Sequence, residues 1–523
     1  MNSDRSFRRS LSAVLVLACL VAPIYLQGEA AEREPGGASS AIPMEKGAII
    51  LPEHEAPVIA PKRTLRVDGG LDIPLLGENE PSIAVNPLNA HNIAVAGLRA
   101  LRVSTDNGAT FSAATNEVFP PGFSSDGDSS LAFDSQGQLF WTYLGVRTDN
   151  NLPDVFVAQV NPTTGAILPG YPVNVTAAAG FPASAGNNND KQWIAADHSP
   201  RSPFRDQLYI VWSQITTRTV HTTFSTDQGL TWSPALTLSA AAGEGFVWPS
   251  HNAVAPNGDV YVAYHSQPGF IVRNPDGTSG QVFVLRSTDG GATYPQKTLA
   301  YTPGNADITF NVQTVPQERA LNGNISWTQG SAQPWVLPDP VIPNNVYVVA
   351  ADDPTNTNHG DGFDDIDVFI VRSTDHGRTW GAPIKVNDGP VGTTQFFPTA
   401  AIDAKSRCLT IAWYDTRAGN TNAAGNFLLD VFLRSSRNGG LTFGPEVQIN
   451  DVPFDPDLGA RCRFGPQPPC AADSSPLQTL RIGEYNGVAV ANGIAHVVWT
   501  GNTATSQQIL FDSARACRQR EHE

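Results

Sequence analysis

Short apolar runs occur in pairs along most of the chain, and a turn separates the two members of each pair. Seven such pairs follow one another: 82–85 with 93–96, 130–133 with 139–143, 193–196 with 208–212, 252–254 with 260–264, 335 to 349, 399 to 413, and 487 to 499. Runs this short, bounded by turn residues and rich in aromatic and β-branched side chains, are typical of strands. The pattern therefore predicts an all-β protein.

A motif of the form Ser-x-Asp-x-Gly-x-Thr-aromatic recurs after several of these pairs. It occupies residues 104–111, 225–232, 287–294, 373–380 and, in a weaker form, 436–443. The Ser and Asp side chains can accept hydrogen bonds from turn amides, and the Gly permits positive φ, so each copy predicts a tight hairpin. An active site needs one constellation and not five copies. We therefore interpret the repeated acidic or amide residue as structural in all five turns, at Asp106, Asp227, Asp289, Asp375 and Asn438.

Each strand pair and the hairpin that follows it make a four-stranded antiparallel sheet. Radial repetition of such sheets is a β-propeller, which we place at residues 76–515, with a short tail at 516–523. We expect seven blades, with six as the alternative. The last unit, 485–513, has no turn motif. A strand from the preceding segment, such as Thr64–Val67, would complete it and remove its exposed edge.

The five turns resemble the Asp-box, or BNR, repeats of the sialidase-like superfamily, and the segment Ile411–Arg417 is similar to segments of its secreted bacterial members. The resemblance covers roughly 78–515. It is specific for the fold and less so for the activity, because Asp boxes also occur in propellers that are not sialidases. Sialidase propellers have six blades and a nucleophilic Tyr activated by a Glu. They also have three arginines that hold the carboxylate of the sugar.

The N-terminus predicts export, and the net charge restricts the classes of partner. Arg5, Arg8 and Arg9 precede the apolar stretch 11–26, and small residues follow it, so residues 1–30 are predicted to be a signal peptide. The alternative is a lipoprotein anchored through Cys19. A net charge of −16 disfavours nucleic acid and anionic membranes as partners. The rest of the chain has no apolar stretch long enough to span a membrane.

The segment 31–75 is rich in Ala, Glu, Gly and Pro and is predicted to be a linker or lead-in to the propeller. Four cysteines remain after removal of the signal. Cys462 and Cys470 flank a Pro-rich loop and are the predicted disulfide, while a bridge from Cys408 to Cys517 is the alternative.

In a propeller, the start of each innermost strand and the end of each second strand lie on one face, around the central channel. The hairpin turns fall on the other face. The candidates before inner strands are Glu80, Asp128, Asp190, Glu484 and Tyr485, and those after second strands are Arg99, Arg147, His265, Asp415 and Arg417. Carboxylates, arginines and aromatic residues around one pocket are typical of carbohydrate sites, so an extracellular glycan is the predicted partner.

Glycoside cleavage, the leading hypothesis, requires a carboxylic acid and a second group that acts as base or nucleophile. Asp128 or Asp190 is the predicted acid. The resemblance implies a Tyr nucleophile, which Tyr485 matches, with Glu80 or Glu484 as its activating carboxylate.

By the same resemblance, Arg99, Arg147 and Arg417 would hold an anionic sugar, with Asp415 and His265 in the substrate-binding set. Two departures stand against a strict sialidase. No Arg-Ile-Pro segment precedes the first blade, and neighbouring residues of an extended segment point to opposite sides, as Glu484 and Tyr485 would.

Two other functions stay open: a non-catalytic glycan- or protein-binding propeller at the cell surface, and a polysaccharide lyase that uses His265 or Tyr485 beside Arg417. No cofactor is required for any of these. The acidic loop 352–367 offers hard oxygen ligands at Asp361, Asp364 and Asp365, which makes a structural calcium ion a further prediction, although the spacing is not that of an EF-hand.

Overall fold

The computed structural model describes residues 72–239, 244, 246–267, 281–302, 326–327, 333–352, 366–390, 393–417, 428–456, 480–483, 485–503 and 506–517. In this part of the chain the strands form seven four-stranded antiparallel sheets and one two-stranded sheet. The seven larger sheets are the blades of a propeller, so the predicted fold and the preferred blade number are confirmed. The 31–71 part of the predicted linker and the predicted signal peptide lie outside the described residues.

The first strand, β1 (Ile73–Leu76), belongs to the last blade, and the other blades follow chain order from their innermost strand outward. Blade 1 contains β2 (Ser82–Asn86), β3 (Asn89–Ala96), β4 (Ala100–Ser104) and β5 (Thr115–Asn116); blade 2 contains β6 (Phe123–Phe133), β7 (Leu139–Arg147), β8 (Pro153–Val160) and β9 (Val173–Asn174). The short helix α1 (Val175–Ala178) follows and is capped by the Asn174 side chain, which accepts a hydrogen bond from the Ala177 amide. Blade 3 contains β10 (Asn189–Ala196), β11 (Leu208–Gln214), β12 (Thr219–Ser225) and β13 (Leu236–Thr237).

The second half of the ring repeats this arrangement. Blade 4 contains β14 (Phe246–Val254), β15 (Val260–Gln267), β16 (Gln281–Ser287) and β17 (Gln296–Tyr301). After β18 (Ser326–Trp327), blade 5 contains β19 (Trp335–Pro338), β20 (Val346–Asp352), β21 (Asp367–Ser373) and β22 (Ile384–Lys385); blade 6 contains β23 (Gln395–Ile402), β24 (Leu409–Asp415), β25 (Asp430–Ser436) and β26 (Val447–Gln448). After β27 (Leu480–Arg481), which pairs in parallel with β18, blade 7 contains β28 (Gly487–Ala491), β29 (Ile494–Thr503) and β30 (Ser506–Arg515), with β1 outermost.

The ring closes by two kinds of contact. The innermost strands of neighbouring blades contact one another all the way round, including β28 of blade 7 and β2 of blade 1. In addition, β1 pairs with β30, with Ile73 opposite Phe511, so the N-terminal part of the propeller completes the C-terminal blade. The strand suggested from sequence, Thr64–Val67, lies outside the described residues. Pairing of the two ends covers the outer edge of β30, which the last blade would otherwise expose.

The core is divided among the interfaces between blades. Each of the seven interfaces holds one large cluster of buried apolar side chains. Trp141, Trp212, Trp413 and Trp499, all on second strands, are completely buried in these clusters. The apolar runs seen in the sequence are therefore buried on both faces, between one blade and the next.

The five repeated turns share one hydrogen-bond pattern. In the first, the Asp106 carboxylate accepts hydrogen bonds from the Ser104 hydroxyl (2.8 Å) and the Thr110 amide (2.8 Å), while the Gly108 amide donates to the Ser104 hydroxyl (2.9 Å). The turn around Asn438 keeps these bonds, and its amide group donates to the Thr442 hydroxyl. Each turn joins the third and fourth strands of its blade. It lies on the face of the propeller opposite the starts of the inner strands. The structural role assigned to these residues agrees with this geometry.

A disulfide joins Cys408 of blade 6 to Cys517, just after β30. This was the alternative pairing, and the predicted Cys462 and Cys470 lie outside the described residues. Cys408 is fully buried, and it packs in the cluster between blades 6 and 7. The bond therefore ties the end of the propeller to a neighbouring blade.

Removal of this disulfide is expected to destabilise the propeller. The bond closes a loop of 109 residues, and crosslinks of long loops reduce the entropy of the unfolded chain. The double variant Cys408→Ala, Cys517→Ser should lose about 2–4 kcal/mol of unfolding free energy. Denaturant titration measures the loss, and a peptide map of the unreduced protein verifies the bond. An unchanged unfolding midpoint would show that the pairing strands alone hold the end.

Candidate functional site

One equivalent position occurs in every blade at the start of the inner strand. It is the residue two places before the first regularly paired residue of that strand, and we call it the entry position. In chain order the seven entry positions are Glu80, Asp128, Lys191, Trp248, Gln333, Phe397 and Tyr485. In blades 2, 3, 4 and 6 the register of the first two strands shifts here, so two residues oppose one. Such bulges redirect a side chain that regular pairing would leave in the sheet.

Four entry residues have left-handed backbone conformations. Glu80, Asp128, Lys191 and Phe397 have φ values of 56°, 57°, 52° and 49°. For residues other than Gly this conformation costs about 1–3 kcal/mol, and such strain is common at functional sites. Its repetition at equivalent positions of four blades marks this ring of residues as the candidate site.

Five of the entry positions meet around one ammonium group. Lys191 Nζ lies 3.2 Å from Asp128 Oδ2 and 3.9 Å from Glu80 Oε2. The same nitrogen is 4.8 Å from the centre of the Tyr485 ring and 5.7 Å from that of the Trp248 ring. Aromatic faces at such distances attract a cation. We refer to Glu80, Asp128, Asp190, Lys191, Trp248 and Tyr485 as the central cluster.

Asp190 precedes Lys191 and is the most accessible carboxylate of the central cluster. It is partly exposed, whereas Glu80 is only 2% exposed and Asp128 9%. Asp190 Oδ2 accepts a hydrogen bond from Trp248 Nε1 at 3.0 Å, and Oδ1 accepts one from the Lys191 amide at 2.9 Å. Withdrawal from water and the neighbouring Asp128 charge raise the pKa of Asp190 to about 7, against the opposing effects of Lys191 and Trp248. Asp190 can therefore carry a proton near neutral pH.

Aromatic side chains from four blades meet beside the central cluster. The ring of Trp193, in blade 3, lies 5.0 Å from Trp335 in blade 5, 5.3 Å from His251 in blade 4 and 5.9 Å from Tyr485 in blade 7. His251 Nδ1 accepts a hydrogen bond from the Val336 amide, and burial lowers the pKa of His251 to about 3, so this ring is neutral. Contacts between blades 3, 5 and 7 span the channel and support the cluster from one side.

The predicted arginines have different surroundings. Arg147 forms an ion pair with Asp149 (2.5 Å) at the surface of blade 2, and Arg99 is exposed in the turn between β3 and β4. Arg417 binds Asp415 (2.5 Å) and Glu446, and its guanidinium lies over the Phe432 ring. These partners belong to blade 6, so the Asp415–Arg417 pair braces its own blade. The described contacts do not place the three guanidinium groups around one point.

The other members of the predicted substrate-binding set, Asp415 and His265, are buried. The Asp415 carboxylate accepts hydrogen bonds from the side chains of Trp413, Gln395 and Arg417. His265 is 2% exposed, and burial lowers its pKa to about 3. His265 lies on β15 opposite the bulge of β14, and its described contacts do not include Arg417, the partner it would need in a lyase.

Several predicted residues lie outside the described residues: Glu484, the proposed activating carboxylate, and Asp361, Asp364 and Asp365, the proposed calcium ligands. Within the described ranges, no group of three or more His, Cys, Asp or Glu side chains is arranged to hold a metal ion. The same ranges contain no helix long and apolar enough to cross a membrane.

The fold brings together four of the residues that were predicted to act as acid, nucleophile or activating carboxylate. They are Asp128, Asp190, Glu80 and Tyr485. Lys191 was not among the candidates predicted from the sequence, yet its side chain is 6% exposed and lies among the carboxylates. The signal that could have placed it is its position two residues before Trp193, which matches Glu80 before Ser82 and Asp128 before Ser130.

No protein-family model matches the chain, and no curated protein matches its sequence. Several solved structures resemble it. A Hadza microbial sialidase is 12% identical, with a TM-score of 0.42 over 81% of this chain and 76% of its own. An alpha-L-arabinanase of Penicillium chrysogenum is 13% identical (TM-score 0.37; 62% and 93% covered), as is the NanB sialidase of Streptococcus pneumoniae (TM-score 0.36; 84% and 69% covered). Likenesses of this size do not identify a reaction, so the function has to be inferred from the site itself.

Proposed function

We propose that the chain is an exported propeller that hydrolyses glycosidic bonds of extracellular glycans at the central cluster. The observation that carries this proposal is the pairing of two unlike carboxyl groups. Asp190 is partly exposed and its pKa is raised to about 7, while Asp128 is paired with an ammonium at 3.2 Å. A proton donor beside an ionised carboxylate is the arrangement that glycoside hydrolysis requires.

The roles follow from the chemistry of the two groups. Asp190 donates its proton to the glycosidic oxygen as the bond to the anomeric carbon breaks, so that the leaving group departs as an alcohol. Asp128 either removes a proton from the attacking water or attacks the anomeric carbon itself. The buried rings of Trp248 and Tyr485 lie beside the Lys191 ammonium and complete the cluster around the two carboxyl groups. Export is supported by the predicted signal peptide and by the Cys408–Cys517 disulfide.

A substrate panel tests the proposed function. Fluorogenic glycosides of neutral sugars, sialic acid and glucuronic acid are incubated with the protein, and release of the fluorophore is followed. Hydrolysis of any of them supports the proposal. A uronate polymer that gives an unsaturated, ultraviolet-absorbing product would identify a lyase instead. Saturable glycan binding without turnover across the panel would identify a non-catalytic binding propeller.

Tyr485→Phe decides which group is the nucleophile. The Tyr485 ring faces the Lys191 ammonium and packs edge-on to Trp193, and Phe keeps both contacts. We expect kcat to fall less than about tenfold, because the assigned roles belong to Asp190 and Asp128. Steady-state kinetics on an active glycoside provides the measurement. A loss of several orders of magnitude would assign the nucleophile to the Tyr485 hydroxyl, as the family resemblance implies.

A further inference from the structure

Within the described part of the chain, Lys191 contacts the entry positions of four other blades. Its ammonium touches Asp128 and Glu80 as ion pairs and the rings of Tyr485 and Trp248 through their faces. These contacts come from blades 1, 2, 4 and 7. The backbone of Lys191 is held at φ 52° to bring the side chain there. This strained backbone places a buried cation among the entry positions of the blades. Such strain indicates a specific role for that cation.

The surroundings of Lys191 are acidic. The charged and titratable groups that face it among the described residues are Asp128, Glu80, Asp190 and the Tyr485 phenol, and Asp126 acts on Asp190 from the neighbouring blade. Carboxylates that share a buried site repel one another, so they do not all ionise together unless a cation offsets their charge. Lys191 Nζ is within ion-pair distance of Asp128 and Glu80, whereas the Asp190 oxygens are occupied by Trp248 Nε1 and a backbone amide.

We propose that Lys191 is the positioning residue of this site, whose ammonium keeps Asp128 and Glu80 as anions and thereby leaves Asp190 as the proton donor. The inference deepens the proposed function and rests on it for its catalytic meaning. The division of the proton among the carboxylates is, however, a property of the free protein. It can be measured without substrate, so that failure of this inference and failure of the proposed function are distinguishable.

Trp248 provides the reporter. Its indole N–H donates to Asp190 Oδ2, so ionisation of Asp190 changes the surroundings of this ring. The protein has ten Trp residues, and the difference between the wild type and Trp248→Phe isolates the contribution of this one. We expect a fluorescence transition near neutral pH that disappears in Asp190→Asn.

Lys191→Met is the main variant, since it keeps the length of the side chain and removes the charge. Loss of a cation disfavours the ionised form of Asp190, so the transition should move upward by about one pH unit or more. Lys191→Arg keeps the charge and should leave it near its wild-type position. Lys297→Met is the matched control: Lys297 also pairs with a carboxylate, Glu244, and lies over two rings, but it is on the outer strand β17. The fluorescence transition of this control variant should occur at the same pH as in the wild type.

Asp128→Asn covers the case in which Lys191→Met does not fold. Removal of the Asp128 charge favours ionisation of Asp190 and frees the ammonium to pair with it, so the transition should move downward. A transition that stays in place in the folded Lys191 or Asp128 variant would overturn the inference, whatever the panel of glycosides shows. If a glycoside is hydrolysed, the alkaline limb of the kcat profile should move with the fluorescence transition in Lys191→Met, while KM changes little. A change in KM alone would show a merely structural role.

Discussion

Asp190→Asn is expected to reduce glycoside hydrolysis by about 10²- to 10⁴-fold, the usual contribution of a general acid. Asn keeps the size of the side chain and can still accept a hydrogen bond from Trp248, but it has no proton to give. The loss should depend on the leaving group. Alcohol leaving groups, which need protonation, should show the full effect, and dinitrophenyl glycosides, which do not, should be affected little. Steady-state kinetics on both types of substrate measures this difference.

The pH profile of the same proposed activity gives a second measurement. A general acid is active only while it is protonated, and the pKa of Asp190 is raised to about 7, so wild-type kcat should fall as the pH rises above this value. The alkaline limb should be absent in Asp190→Asn. A loss that is equal for all leaving groups, with the limb retained, would contradict the assignment.

Asp375→Asn is a suitable control for this experiment. Asp375 lies in a repeated turn on the opposite face of the propeller and accepts hydrogen bonds from the Ser373 hydroxyl and the Thr379 amide. Asn438 occupies the equivalent place in the fifth turn and makes the same bonds. Asp→Asn at this position is therefore structurally compatible, and activity should remain at the wild-type level.

The features that sequence reasoning predicted well are those that depend on neighbouring residues. A repeated turn is local: Ser104, Asp106 and Thr110 bond within seven residues, and the pattern can be recognised wherever it recurs. Strand pairs such as β10 and β11 are hairpins with buried residues on both faces, so they appear as apolar runs. Once the propeller is inferred, its symmetry also predicts that Asp128, Asp190 and Tyr485 lie near the same channel.

The features that were not predicted depend on register and on distant partners. Lys191 follows an aspartate in the sequence, and charged residues of this kind are mostly exposed. A bulge of two residues against one turns it toward Asp128, 63 positions away in the chain. Arg417 was assigned to substrate because it follows a second strand, but Glu446, 29 residues later, lies within reach of its guanidinium. Neither contact has a local signal in the sequence.

The choice of the N-terminal strand that completes blade 7 also depends on distant partners. The sequence indicates that a preceding strand should complete blade 7, because the last unit has three predicted strands and no turn motif. The segment that pairs with β30 is selected by how well its side chains pack there. Leu75 and Leu76 of β1 are buried in the interface between blades 7 and 1. Many short apolar segments satisfy the local pattern, so the choice requires the packed structure.

Glu117 offers a large effect on stability, and the size of this effect depends on pH. It lies in the loop between blades 1 and 2, and both of its carboxylate oxygens are buried. Burial raises the pKa of Glu117 to about 9, the Ser125 hydroxyl partly offsets this effect, and the charge of Glu78 adds to it. The folded state therefore keeps the proton at neutral pH, whereas the unfolded chain releases it above about pH 4.5.

Glu117→Gln should consequently stabilise the protein, and more so as the pH rises. Between about pH 4.5 and pH 9 the unfolded state binds fewer protons at this residue than the folded state, so wild-type stability falls by about 1.4 kcal/mol per pH unit from this group. Gln has no such cost. Relative to the wild type, the variant should gain about 4 kcal/mol between pH 5 and pH 8. Urea titrations at the two pH values measure the difference. Asp149→Asn, at an exposed carboxylate, should leave the pH dependence unchanged. An equal effect of Glu117→Gln at both pH values would show that Glu117 is ionised in the folded protein, and its burial would then have to be balanced by a cation.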